Sequence, residues 1–211
     1  MRFKNIVFDF GGVLVDLNRP RCIDHFLRLG VTDIGSMLDA CHQQGIFHCL
    51  DEGTITTDEF HAEIRRRTAI PVTDDEIDAA WYTFLEGIPA YKLDALLELK
   101  EHYHVHLLSN VSDLHWQWSC KHLFSYQGHR VEDFFERIYL SYRLKMTKPN
   151  PAVFRTMLED SGMVPEETLF IDDAPDNCRV ARSFDITTYT PKAREDWRKV
   201  LKEELLQGFN G

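Results

Sequence analysis

Short apolar runs alternate with longer helix-patterned stretches along this chain. Ile6–Phe8, Val105–Leu108, Arg137–Leu140, Leu169–Ile171 and Thr187–Tyr189 each have the length and character of a buried strand. Strands separated by helices imply right-handed crossovers. The expected fold is therefore α/β, a doubly wound, Rossmann-like parallel sheet with helices on both faces. Ligands bind such sheets beyond the carboxyl ends of the strands. Asp9, Ser109 with Asn110, and Asp172 with Asp173 each stand directly after a strand, so three polar clusters are expected to meet at one site.

About a hundred residues separate the first two strands, far more than one crossover needs. Helical pattern fills that gap. "TTDE" at 56–59 and "TDDE" at 73–76 fit capping boxes, with Thr56 or Thr73 accepting from the helix start and Glu59 or Glu76 reaching back. Residues 17–87 are therefore expected to form an inserted α-helical cap, and 1–16 with 88–211 the α/β core. Pro89, Asn150-Pro151 and Thr190-Pro191 mark further helix starts, each with proline at the first helical position.

Composition narrows the function classes. With 211 residues, 44% hydrophobic and 27% charged, the chain can bury a sizeable core. A net charge of −10 disfavours nucleic acid and anionic membranes as main partners. The cysteines Cys22, Cys41, Cys49, Cys120 and Cys178 are odd in number and include no C-x-x-C pair, so reduced thiols in a cytoplasmic protein are expected. The N-terminus has no signal-peptide pattern, and no apolar run is long enough to span a membrane.

Three segments carry candidate chemistry. In "FIDDAPDN" at 170–177, the adjacent carboxylates of Asp172 and Asp173 repel each other. A cation shared with Asp9 would relieve this, and Mg²⁺ prefers such hard oxygen ligands. Taken alone, Asp-Asp is more often a solvated acidic turn. In "HLLSNVSD" at 106–113, a hydroxyl and main-chain N–H groups at a helix start can hold an anion, although alone they read as an ordinary cap. In "KMTKPNPAVF" at 145–154, Lys148 is held extended by Pro149 and can neutralise both phosphate and Asp9. Lys145 lacks that restraint and ranks below it.

The order and spacing of these segments resemble the haloacid dehalogenase superfamily over essentially the whole length. "DFGGV" at 9–13, "LLSN" at 107–110, Lys148-Pro149 and "IDDAPDN" at 171–177 are similar to its four motifs. "FHCLDEGTITTDEF" at 47–60 and "IYLSYRLKMTKPNPAVF" at 138–154 resemble its bacterial sugar-phosphate phosphatases, a group close to the N-terminal phosphatase domain of soluble epoxide hydrolases. The resemblance implies Mg²⁺-dependent hydrolysis of a small phosphorylated metabolite by a monomer or homodimer, through a phosphoaspartyl intermediate on Asp9. It also implies a metal held by Asp9, the Gly11 carbonyl and Asp173, with Asp172 at the edge of the site or acting through water. Ser109, Asn110 and Lys148 would grip the phosphate.

One departure stands out. Most phosphatases of this superfamily place a second aspartate two residues after the first, where it protonates the leaving oxygen; here Gly11 stands instead. General acid–base help is worth about 10²–10⁴ in rate. A substrate with a good leaving group would need it less, and Asp16 or His48 are candidate substitutes. His48 is also a candidate substrate contact, with Glu52 behind it, and capping or solvated roles compete for both. Trp116 and Trp118 are two residues apart and cannot share a helix face, so at least one is expected to be packing. Asp176 and Asn177 read as helix-start and supporting residues. The rival readings are a metal-independent 2-haloacid dehalogenase, which the crowded Asp172–Asp173 pair argues against, and a non-catalytic phosphate-ligand-binding protein.

Overall fold

The computed structural model describes residues 2–38 and 43–205, with the side chains of 204 and 205 excepted. Cys41 of the sequence reading lies outside the described residues. Strand β1 (Asn5–Phe8) runs into a turn and a short strand β2 (Asp16–Leu17). Five helices follow: α1 (Arg19–Arg28), α2 (Ile34–Met37), α3 (Gly45–Glu52), α4 (Thr57–Arg67) and α5 (Asp74–Tyr82). The chain returns through β3 (Leu85–Gly87), α6 (Ala90–Lys100), β4 (His104–Ser109), α7 (Asp113–His122), α8 (Val131–Phe134), β5 (Arg137–Leu140) and α9 (Ser141–Leu144). It continues through α10 (Pro151–Ser161), β6 (Thr168–Ile171), α11 (Pro175–Arg182) and β7 (Thr187–Tyr189).

The main sheet has the order β5-β4-β1-β6-β7, and every pairing is parallel. After β1 the chain builds outward through β4 and β5, then crosses back to β6 and β7. The strand order thus reverses beside β1, which is where such sheets open a crevice at their carboxyl ends. Strand alternation fills both faces. Ile6, Phe8, Val105, Leu107, Leu169 and Ile171 share the larger core with α6 and α7. Val7, Leu108 and Phe170 turn to the other face, against Val153, Phe154 and Met157 of α10.

Helices α1–α5 are tied to the rest of the fold at several places. At their base β2 pairs antiparallel with β3, a small sheet that the periodicity does not predict. Beside it, buried Lys92 of α6 donates to the Leu14 carbonyl at 3.2 Å and to Asp16 at 3.3 Å. Higher up, aromatic packing joins Phe47 to Phe26, Phe60 and Trp81. Trp81 in turn stacks on His115 of α7 with ring centroids 4.0 Å apart. Both expected capping boxes are present, on α4 and α5.

Two of the proline-marked starts differ from expectation. Pro89 caps α6 and Ala90 begins it. No helix begins at Pro191, because the Glu195 carboxylate accepts from the Lys192 N–H at 2.6 Å and from the Tyr189 hydroxyl at 2.7 Å, folding the segment into a turn. Among the described residues no helix is long and apolar enough to cross a membrane.

Helix α3 ends on Gly53 at φ +72°, the left-handed conformation that glycine adopts without penalty. Its α-carbon lies against α9, and a β-carbon there would come within 2.4 Å of the Tyr142 carbonyl. Gly53→Ala therefore meets both backbone strain and a backbone clash. It is expected to destabilise the protein by at least about 2 kcal/mol, read as a lowered urea midpoint at unchanged slope.

Candidate active site

The sheet register brings the first carboxylates together. Phe8 pairs with Leu107 on one side and with Ile171 on the other, so Asp9 and Asp172 leave their strands at the same level. The Asp9 N–H still donates to the Ile171 carbonyl at 2.8 Å. Ligand oxygens of Asp9, Asp172 and Asp173 all lie within 4.8 Å of one another.

Lys148 enters from the loop before α10. Its ammonium is buried and sits 2.8 Å from Asp9, 2.6 Å from Asp172 and 2.8 Å from the Leu108 carbonyl. Lys145 is elsewhere, bonded to the Gly53 carbonyl. Asn110 fixes the Lys148 backbone in both directions. Its amide donates to the Lys148 carbonyl at 2.8 Å and its oxygen accepts from the Lys148 N–H at 2.8 Å. Asn110 also lines the cavity described below, so the residue expected to grip phosphate fixes the lysine loop at the site. Ser109 is buried beside it, and its hydroxyl has no protein partner.

Asp172 is fully buried beneath the site and not at its edge. One of its oxygens accepts from the Ala174 N–H at 2.8 Å, the other from Lys148, and the Asn177 amide spans both at 3.0 Å. Asp173 is nearer the opening. Gly12, at φ +76°, makes room for it: a β-carbon on Gly12 would fall 2.0 Å from the Asp173 carboxylate. Asp176 is exposed and pairs with Arg179 at 3.1 Å.

Electrostatics follow from three acids and one base. Burial raises the Asp9 pKa to about 7; Lys148 opposes the shift, while Asp172 and Asp173 add to it. Burial and then Asp172 raise Asp173 to about 6 against the pull of Lys148. For Lys148, burial disfavours the charge, but Asp172 and Asp9 outweigh it and hold the ammonium above its usual pKa. One ammonium among three carboxylates leaves a deficit of positive charge. A divalent cation with a preference for oxygen ligands fits that deficit and that donor set.

Asp9, Gly11, Lys148 and Asp173 open into a cavity of about 260 Å³. The helical segment lines it with Gln44, which caps α3, with His48 and Asp51 of α3, and with Trp81 and Phe84. His115 also faces it; burial lowers its pKa to about 4, so the ring is neutral.

Glu52 does not line the cavity, and neither does Asp16, which lies in a separate cleft with Glu86. Trp116 is buried against Phe10 and Phe124, and Trp118 stacks on Tyr82. The sequence reading passed over Asp51, Trp81 and His115. For Asp51 a signal was available: positions 44, 48 and 51 repeat at i, i+4 and i+7, one helix face, with Phe47 and Leu50 buried beside it.

A family model described as haloacid dehalogenase-like hydrolase matches residues 3–185. The chain belongs to that family. It is 40% identical over 198 residues to the D-ribitol-5-phosphate phosphatase of Bacteroides thetaiotaomicron, covering 94% of this chain and 96% of that protein. A crystal structure of a wild-type HAD family enzyme from the same organism, in complex with magnesium and inorganic phosphate, superposes with a TM-score of 0.90 at 48% identity, covering 95% of this chain and all of that one. A predicted HAD-like family hydrolase from Porphyromonas gingivalis gives 0.88 at 38% identity, covering 97% of this chain and all of that one.

Replacing Lys148 by Met leaves three close carboxylates with no buried cation. The expected cost, in chelator at pH 8, is about 3–5 kcal/mol. Lys148 holds the raised pKa values of Asp9 and Asp173 down, so without the ammonium these two rise further above their unfolded values. The penalty is then largest at high pH and shrinks as pH falls toward 4 and the groups accept protons. Denaturant titrations of both proteins at pH 5 and 8 read the difference, which should widen with pH.

Proposed function

We propose that this member of the family is a Mg²⁺-dependent phosphatase of small phosphorylated sugars or polyols, working through a phosphoaspartyl intermediate on Asp9. The observation that carries the reading is the meeting of Asp9, Lys148 and Asp173 at one cavity. The relative named as a ribitol-phosphate phosphatase and the neighbour containing magnesium and inorganic phosphate support it.

Each residue has a role in that chemistry. Asp9 is the nucleophile that takes up phosphorus. Asp9, the Gly11 carbonyl and Asp173 hold the cation, and Asp172 acts from behind by fixing Lys148. When bound, Mg²⁺ supplies the positive charge that draws phosphate oxygens in and neutralises the charge they gain. Lys148 offsets charge on Asp9 and the phosphoryl group, and the Ser109 hydroxyl finds in a phosphate oxygen the partner it lacks. Positioning and charge neutralisation carry most of phosphoryl transfer. Residues 17–87 serve as the cap over a core of 1–16 and 88–211. His48 and its neighbours on α3 then face the organic part of the substrate, and about 260 Å³ suits a phosphate with a short polyol chain. The dehalogenase alternative needs no metal and gains nothing from crowding Asp173 against Asp9 and Asp172.

A phosphometabolite panel run with Mg²⁺ tests the reading. Asp9→Asn is expected to lose roughly 10³-fold or more in kcat/KM on every active substrate, and chelator should abolish wild-type turnover. Equal rates for wild type and variant, or full activity in chelator, would sink the proposal. Cation binding should also follow pH. Asp9 at about 7 and Asp173 at about 6 must shed protons to ligate. The apparent Kd for Mg²⁺ is therefore expected to rise roughly 20-fold from pH 8 to pH 6, measured by calorimetry on the full chain.

A further inference from the structure

Gly11 has no side chain with which to protonate a leaving oxygen, and Asp16 is spent on Lys92 in a separate cleft. Among the described residues another carboxyl reaches the cavity from the opposite wall. Asp51 closes the polar face of α3, one turn beyond His48. It is more than nine-tenths buried, and its Oδ1 has no hydrogen-bond partner.

The surroundings of Asp51 fix its position. Its own carbonyl accepts from the Ser141 hydroxyl, which in turn accepts from the Val111 N–H at 2.9 Å. The carboxyl also faces the Ser112 N–H at the start of α7. That N–H favours the charged form, but burial outweighs it and pushes the pKa up to about 8. A buried carboxyl with a free oxygen costs stability unless a ligand engages it. Here the free oxygen belongs to a residue lining the same cavity as Asp9 and Lys148.

We propose that Asp51 supplies the proton that the leaving oxygen takes up as the phosphate ester breaks. The inference rests on the phosphatase reading above. In the first step an Asp9 oxygen bonds to phosphorus, the bond from phosphorus to the ester oxygen breaks, and that oxygen leaves as an alcohol with the Asp51 proton. In the second step the Asp51 carboxylate takes a proton from water as its oxygen attacks phosphorus. The bond to Asp9 breaks, and inorganic phosphate leaves with Asp51 again protonated. One water is consumed per ester. The acid thus comes from the helical segment and not from the nucleophile turn.

The test is leaving-group dependence of kcat/KM, which reports the first step. Asn keeps the shape of Asp51 and can still donate a hydrogen bond, but it cannot give up a proton. For Asp51→Asn, kcat/KM on a polyol phosphate is expected to fall ~100-fold or more, while on p-nitrophenyl phosphate, whose nitrophenolate leaves unaided, it stays within about threefold. The variant should melt no lower than wild type at pH 8, since it removes a carboxyl that burial disfavours. Equal losses on both substrates, or no loss on either, would overturn the proposal. So would the selective loss appearing in His48→Gln and not in Asp51→Asn. Should Asp51→Asn fail to fold, wild type alone decides: a shallow change in kcat/KM from nitrophenyl to alkyl phosphates supports an internal acid, and a steep one overturns it. Asp9→Asn inactive on both substrates beside an active wild type shows that the phosphatase reading stands whichever way Asp51 falls. A wild type that turns over neither substrate ends both.

Discussion

A single buried ammonium, Lys148 Nζ, holds two strand ends together at their carboxylates, 2.8 Å from Asp9 and 2.6 Å from Asp172. Without it the carboxyl ends of β1 and β6 would present like charges to each other in a water-poor crevice, where such repulsion is strongest. Much of the surrounding structure serves that ammonium. Asn110 clamps its backbone on both sides, the Leu108 carbonyl is its third oxygen partner, and Asn177 completes Asp172. The site can therefore carry three acids without unfolding, and it remains short of positive charge toward the opening, where a cation and a phosphate would arrive.

The same logic explains the two glycines after Asp9. Gly12 takes a left-handed conformation and leaves space that Asp173 fills, so an L side chain there would displace the Asp173 carboxylate. Gly11 is different. A β-carbon there would meet only the Leu17 side chain, at 3.4 Å, and the backbone does not require glycine. Contact at the β-carbon therefore does not by itself dictate glycine at that position.

The core was legible because its signals are local. Strands β1 and β4–β7 are short apolar runs with a period that the sheet imposes, and the polar residues that follow them fall at the crevice by topology alone. The capping boxes at Thr56 and Thr73 were legible for the same reason: donor and acceptor lie three residues apart. Other features depend on contacts between distant parts of the chain. The β2–β3 pair joins residues about seventy apart. The hold of Asn110 on the Lys148 backbone spans 38 residues, so the motif alone does not show it. Pro191 read as a helix start because nothing nearby shows that Glu195 will fold back on Lys192. Asp51 shows in the sequence only as the i+7 position of a helix face with Gln44 and His48; the direction in which the rotation of α3 turns that face is set by packing on the distant α9.

That rotation bears on how the helical segment and the proposed chemistry are coupled. An acid placed two residues after the nucleophile is present whether or not the cavity is covered. An acid on α3 is present only when the helical segment lies against α7 and α9, the arrangement that Trp81 on His115 and Ser141 on Asp51 maintain. With Asp51 as the acid, part of the cavity wall and the proton source belong to one helix face, so displacing α3 would leave Asp9 beside water but without its acid. Binding energy from the organic part of a substrate, spent on seating α3, would thereby be used at the reacting bond, since only interactions made with the acid in place speed its cleavage.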